Sequence, residues 1–242
     1  MKTQALSLDS LFDALAEGWR VANETRGISI AYTALFVVGG VLIMGGLLAR
    51  GWTPFVIAAA GAFMLVGPAV LAGYFGIAAA LAAGQRPGLG DVAAGFAGAS
   101  RTLWALALVC GLLFMIFVTD AAILYAYMIG DVPVWLGELL PVAEGVSRFV
   151  LWSSVSGGVV AFLLFTVSAF AVPLLCERRA TLVEAVVSSV RVVFGNFFIA
   201  MVWAVLLSTT VMASILLLPL LLLTLPWLAY ASRALYRIAL PV

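Results

Sequence analysis

The sequence predicts an all-α integral membrane protein in which six transmembrane helices form three hairpins, each preceded by a short cytoplasmic amphipathic helix. Three observations carry that expectation. The 242 residues are 65% hydrophobic and 10% charged, with a mean hydropathy of +1.23. A soluble chain of this length needs far more polar surface to cover its core. Six apolar stretches are each long enough to cross roughly 30 Å of hydrocarbon. A short pattern, cap residue, Leu, any residue, acid, recurs ahead of each pair of stretches.

Taken in order, residues 1–27 come first. Leu8, Leu11, Phe12, Leu15 and Trp19 recur at helical spacing, with Asp9, Asp13, Glu17 and Arg20 between them. That is an amphipathic helix, and the apolar run that follows places it at the membrane interface. Ser10 and Asp13 read as its capping pair. The acids Asp9, Asp13, Glu17 and Glu24 argue against a cleavable signal peptide. The predicted spans are 28–48, 55–81, 103–129, 149–175, 196–216 and 219–238. The apolar run 197–230 is too long for one span at about 1.5 Å per residue, so a tight hairpin at 217–219 is expected. Five spans are the alternative. Gly67-Pro68, Pro173 and Pro226 should kink or end helices.

Charge orients the bundle. With six spans and both termini inside, every Lys and Arg except Arg50 and Arg148 falls on the cytoplasmic side, the direction that sets topology. Five spans would move Arg233 and Arg237 outside. The outer loop 130–148 is acidic, and its Pro133, Trp135 and Pro141 suggest an interfacial cap.

The stretch 173–196, PLLCERRATLVEAVVSSVRVVFGN, is the densest in charge. Thr181 and Glu184 form a capping-box signal there. SLFDALAEGW at 10–19, GLGDVAAGF at 88–96 and TLVEAVVSSV at 181–190 share its pattern. Each places a small cap residue at a helix start and an acid in the first turn, where the macrodipole favours it. The chain therefore reads as a single polytopic domain of three units, about 8–81, 88–175 and 181–240. Small-residue stripes suit close helix packing: Ala72, Gly76, Ala80 and Gly84; Ser153, Gly157 and Ala161; and Gly39, Gly40, Gly45 and Gly46.

Candidate chemistry is sparse. Histidine is absent, which removes the commonest metal ligand and the usual general base. Cys110 and Cys176 have no metal spacing. Asp120 is the only acid inside a predicted span, a functional candidate by default. It lies about 25 Å along its helix, near the outer boundary, where hydration or pairing with Arg148 or Arg50 would satisfy it. Tyr74, Tyr125, Tyr127 and Thr119 are placed to hydrogen-bond within the bundle. Arg178, Arg179 and Arg191 are candidates for gripping an anionic lipid or a partner's acid, or act simply as orientation charges. Serines lack a base to activate them. GQRPGLGD at 84–91 lacks the Lys and strand of a phosphate loop.

Gly18-Trp19-Arg20, Leu65-Val66-Gly67-Pro68, Val172-Pro173-Leu174-Leu175 with Glu177-Arg178, the run from Ser189 to Asn196, and Pro226 through Tyr236-Arg237 together resemble a family of bacterial integral membrane proteins known as domain of unknown function 2189. Members are sometimes labelled putative cytochrome c oxidase proteins. The family pattern often carries two histidines in its last helix; here Tyr230 and Ala234 stand at those positions, which counts against a haem or metal role. The resemblance implies an inner-membrane protein without an assigned mechanism.

The expected function is that of a non-enzymatic accessory or scaffold subunit of a bacterial inner-membrane complex, a respiratory one being the first candidate. It would have no cofactor. Its partners would be membrane lipids and other integral membrane subunits, not nucleic acid. The alternative is a small-molecule or lipid carrier with a path near Asp120 and Arg178/Arg179.

Overall fold

Apolar helices in a lipid solvent gain little by burying apolar surface against one another, so their arrangement is set where backbones approach closely or polar groups pair. Here those contacts gather at one end of the molecule. The computed structural model describes residues 3–50, 54–99, 101–128 and 144–241. These form α1 (Leu8–Glu24), α2 (Arg26–Ala49), α3 (Pro54–Ala82), α4 (Leu89–Gly98), α5 (Arg101–Met128), α6 (Glu144–Ser168), α7 (Ala171–Cys176), α8 (Leu182–Gly195), α9 (Phe197–Leu216), a 3-10 turn (Leu218–Leu220) and α10 (Leu221–Ala239). No strand occurs among the described residues. The expected interfacial cap at 130–148 falls largely outside them, in 129–143.

Among the described residues, five stretches are long and apolar enough to cross a membrane: Arg26–Ala49, Arg101–Met128, Leu151–Cys176, Phe197–Ser214 and Leu218–Ala239. The shorter apolar stretch Val70–Ala82 is the second half of α3.

The core lies at the end where α1, α4, α7 and α8 meet the long helices. Leu11, Ala14, Leu103, Leu106, Leu174, Leu175, Val192, Leu235 and Tyr236 are buried there in one cluster. α1 packs along α10, and the register is set by a glycine. A Cβ at Gly18 would lie 2.5 Å from the Ala231 nitrogen, so only glycine admits this approach. Trp227 Nε1 donates to Leu15 O at 2.9 Å, and the Trp19 and Trp227 rings meet edge to face. The remaining surface of α1 divides in two. Leu8, Phe12 and Trp19 form an exposed apolar stripe, while Glu17, Arg20 and Glu24 form an ion-paired polar one. An interfacial helix resting on protein needs these three faces.

α4 crosses α3 in the same manner. A Cβ at Gly76 would come within 2.1 Å of Asp91 O, and one at Gly95 within 2.3 Å of Ala72 O. The expected small-residue stripe on α3 therefore packs, except that Gly84 lies past the helix. It is the left-handed residue (φ +72°) that closes α3, with Gly84 N–H donating to Leu81 O and Gln85 N–H to Ala80 O. On α6, Gly157 meets the Phe117 ring of α5. On α2, Gly40 meets Leu218, while Gly39, Gly45 and Gly46 meet nothing within 4 Å among the described residues. Gly45 and Gly46 are exposed, and Gly39 is half-buried.

The helix starts are capped by the predicted pairs in two of three cases. Thr181 Oγ1 accepts from Glu184 N–H while Glu184 Oε2 accepts from Thr181 N–H, and Gly88 N–H donates to Asp91 Oδ2. The first copy differs. α1 begins one turn earlier, with Ser7 as its cap and Ser10 as the reciprocal partner, so the Ser10–Asp13 pairing is overturned. A serine hydroxyl both donates and accepts, so Ser10 reaches back to Ser7 N–H without a carboxylate.

Pro68 and Pro226 sit inside α3 and α10 without ending either. Near Pro173 the helix does break, between α6 and α7, because the ring excludes the carbonyl four residues back. Ser189 of α8 fills the gap. Its hydroxyl accepts from Phe170 N–H at 3.2 Å and donates to Thr166 O at 2.8 Å, replacing the one helical bond those two groups would have shared.

Candidate functional site

The most polar part of the packed end is the α7–α8 junction, and its geometry begins with a backbone turn. Arg178 has φ of 53°, uncommon for a residue with a Cβ. It closes α7 as Gly84 closes α3: Arg178 N–H donates to Leu175 O and Arg179 N–H to Leu174 O. The turn aims three consecutive charged side chains in different directions.

Glu177 points to α10. It accepts from Arg233 Nε at 3.0 Å and from an Arg237 terminal nitrogen at 2.9 Å, and the Tyr236 hydroxyl lies 3.4 Å from its other oxygen. Its side chain is 18% exposed and that of Arg233 14%. Arg179 caps the end of α10, donating to Leu240 O at 3.0 Å, Pro241 O at 3.1 Å and the Tyr236 hydroxyl at 2.7 Å. A cation at a helix C-terminus satisfies orphan carbonyls and opposes the negative end of the dipole. Arg178 turns the other way and donates to Gly98 O at 2.6 Å, at the end of α4. One junction thus ties α4, α7 and α10 together.

A second polar group lies between α2, α3 and α10. Thr25, Ser29 and Thr33 recur every fourth residue and are all buried. Ser29 shares a 2.8 Å hydrogen bond with the Tyr230 hydroxyl, Thr25 donates to the same oxygen at 3.3 Å, and Thr33 pairs with the Tyr74 hydroxyl. Tyr32 donates to Val70 O, and the Tyr32, Tyr74 and Tyr230 rings meet edge to face. The group holds hydroxyls without a carboxylate or amine, so it orders helices and carries no charge.

Of the predicted candidates, Arg178 and Arg179 fall together but donate within the chain, to backbone carbonyls and, for Arg179, also to the Tyr236 hydroxyl. Arg191, on the exposed face of α8, has no hydrogen bond or ion pair among the described residues. Asp120 stands apart on α5, where Ser156 Oγ of α6 donates to its carboxylate at 2.5 Å. It is about 28 Å along α5 from Arg101, and so far from the arginine junction. Sequence reasoning anticipated a hydrogen-bonding role for Tyr74 but missed Tyr32 and Tyr230; the Thr25, Ser29, Thr33 spacing was the available signal. Glu177 enters the sequence reading through the charged run and the Glu177-Arg178 motif, neither of which points to its partners on α10.

Among groups outside the apolar helices, Arg20 holds the Glu17 carboxyl below its ordinary range by hydrogen bonding, and Glu17 in turn raises Arg20. The Thr181 backbone N–H lowers Glu184 in the same sense.

Residues 55–177, just over half of the chain, match the family described as predicted integral membrane protein (DUF2189). The chain belongs to that family. The DUF2189 match opens on α3 and ends on Glu177, the carboxylate at the centre of the arginine junction. Of the motifs that carried the resemblance, Gly18-Trp19-Arg20, the 189–196 run and the segment from Pro226 lie outside the matched stretch. No curated protein and no solved structure matches the chain.

Proposed function

We propose that this DUF2189 member is an accessory or scaffold subunit of a bacterial inner-membrane complex, a respiratory one being the first candidate, and that it works through helix and lipid contacts. In this reading the chain forms three hairpins in units of about 8–81, 88–175 and 181–240, each preceded by its amphipathic helix, with both termini cytoplasmic. The observation that carries the proposal is the contrast between spent polar groups and open apolar faces. Arg178, Arg179 and Glu177 are engaged internally, whereas Leu108, Met115 and Ile116 of α5 and Leu42 and Ile43 of α2 are exposed. Lipids and the apolar helices of another subunit are the natural occupants of such faces. Arg191 remains available to an anionic lipid headgroup or a partner's acid.

A photo-crosslinking residue at Met115, introduced in the native membrane, is expected to capture one integral membrane protein reproducibly. The same residue at Tyr236, which is fully buried, is expected to capture none. Capture of lipid alone at Met115, with elution of the chain unaccompanied in mild detergent, would remove the scaffold reading.

The Asp120–Ser156 bond supports a second reading, a small-molecule or lipid carrier whose polar step lies between α5 and α6. Arg178 and Arg179 do not share that step, being at the opposite end of α5. Uptake into vesicles that Asp120→Asn abolishes would favour it; no uptake by the unmodified protein would end it.

A further inference from the structure

We infer that the α9–α10 hairpin is re-entrant: it enters the bilayer from the arginine-rich side, turns at 217–219 within the hydrocarbon, and rests its tip on the acyl chains of the far leaflet. The inference deepens the three-hairpin reading above and rests on it.

The depth of the turn follows from helix lengths. α10 lies against α2 in a register fixed at two points. Near the start of α2, Ser29 bonds the Tyr230 hydroxyl. At the turn, Leu218 and Leu221 pack with Val37 and Met44, and Leu218 touches the position of a Cβ at Gly40. From Arg26, which opens α2, to Gly40 is about 21 Å of helix, and from Arg233 of α10 to Pro219 is again about 21 Å. The two lengths agree, as the shared register of α2 and α10 requires. The hydrocarbon is roughly 30 Å thick, so the turn stops about 9 Å short of the far side. α2 continues past the turn to Ala49.

Composition agrees with that depth. Residues 215–223 read ILLLPLLLL, without a charge or a polar side chain. Turns that reach water are built from Gly, Pro, Asn, Asp and Ser, and of these the stretch holds Pro219 alone. Here Leu217 is 65% exposed.

The backbone of the turn supports the same placement. Hydrocarbon tolerates a turn only when its polar groups are satisfied internally. Leu217 N–H donates to Ala213 O, Leu220 N–H to Leu217 O and Leu221 N–H to Leu218 O. Pro219 has no donor to satisfy. The Thr224 hydroxyl donates to Leu220 O, the Ser214 hydroxyl to Thr210 O, and the two hydroxyls meet across the hairpin at 2.8 Å. Each of these bonds removes a group that lipid could not solvate.

The test is accessibility of single cysteines in full-length protein with Cys110→Ala and Cys176→Ala, reconstituted in oriented phospholipid vesicles. Leu217→Cys is expected to escape a membrane-impermeant maleimide added to either side, and to react once detergent is added. Arg148→Cys should react from the far side. A nitroxide at 217 should collide with oxygen and be shielded from a water-soluble nickel chelate. Reaction of Leu217→Cys from the far side, or strong nickel collision there, would overturn the inference. A tag after Val242 reports separately on the underlying topology: if it lies on the same side as Arg148, the three-hairpin reading fails, whatever the depth of the turn.

Discussion

Tyr74 and Tyr236 at the arginine-rich end are fully buried and hydrogen-bonded, while Tyr127, near the other end of α5, is 87% exposed. The same contrast holds for glycine. Gly18, Gly76 and Gly95 each meet backbone from another helix, and Gly39, Gly45 and Gly46 meet nothing. Apolar residues are abundant in both regions, so hydrophobicity does not distinguish them. What differs is the supply of polar pairs and of positions without a Cβ, the two devices by which helices acquire a fixed arrangement in lipid. The packed end is specified from within. The open end has few such devices among the described residues.

Substitutions test the contrast between the two ends. The largest effect is expected at Glu177→Ala, which strips Arg233 and Arg237 of their shared carboxylate. Removing one partner of a largely buried ion pair costs about 3 kcal/mol or more, and thermal unfolding in detergent should show it; Ser156→Ala in the open half should move the transition far less. Gly18→Ala comes next. It forces α1 away from Ala231, at about 1–3 kcal/mol, whereas Gly45→Ala should leave the midpoint unchanged. If both glycine variants behave alike, the two regions do not differ as described. Ser189→Ala should cost about 1–2 kcal/mol by orphaning Phe170 N–H and Thr166 O, and faster hydrogen exchange at Phe170 would localise the loss.

The smallest effect concerns Glu184, whose folded pKa is lowered below the ordinary 4.5 chiefly by the Thr181 backbone N–H. A carboxyl with a depressed folded pKa adds stability above its unfolded value and loses it as pH falls through the folded one. Exchange protection at the start of α8 should therefore be constant above about 4.5 and decline in more acid solution. Glu184→Gln should remove that dependence.

The all-helical membrane character was legible from composition, and the starts of α4 and α8 from local cap signals, because those are written in residues three apart. The arginine junction was not. Glu177 meets side chains 56 and 60 positions away, and the acceptors of Arg178 and Arg179 are largely backbone carbonyls, which every residue carries. Sequence therefore reads these arginines as topological charges and misses the capping they perform. The buried hydroxyl group lies between these cases: its α2 members are spaced every fourth residue, but Tyr230 is about two hundred positions distant.

The seat of Gly18 on Ala231 also sets an order of events. α1 leaves the ribosome first and α10 last, and at about 5–20 residues per second the first helix waits roughly 10–40 s for its partner. During that interval Gly18 and Leu15, on the face of α1 that meets α10, lack their partners Ala231 and Trp227. The apolar stripe of Leu8, Phe12 and Trp19 can park the helix on the membrane surface meanwhile. Closure of the nascent chain is then a single late event, so a truncated product lacking α10 should be recognised as unfinished however well its earlier helices inserted.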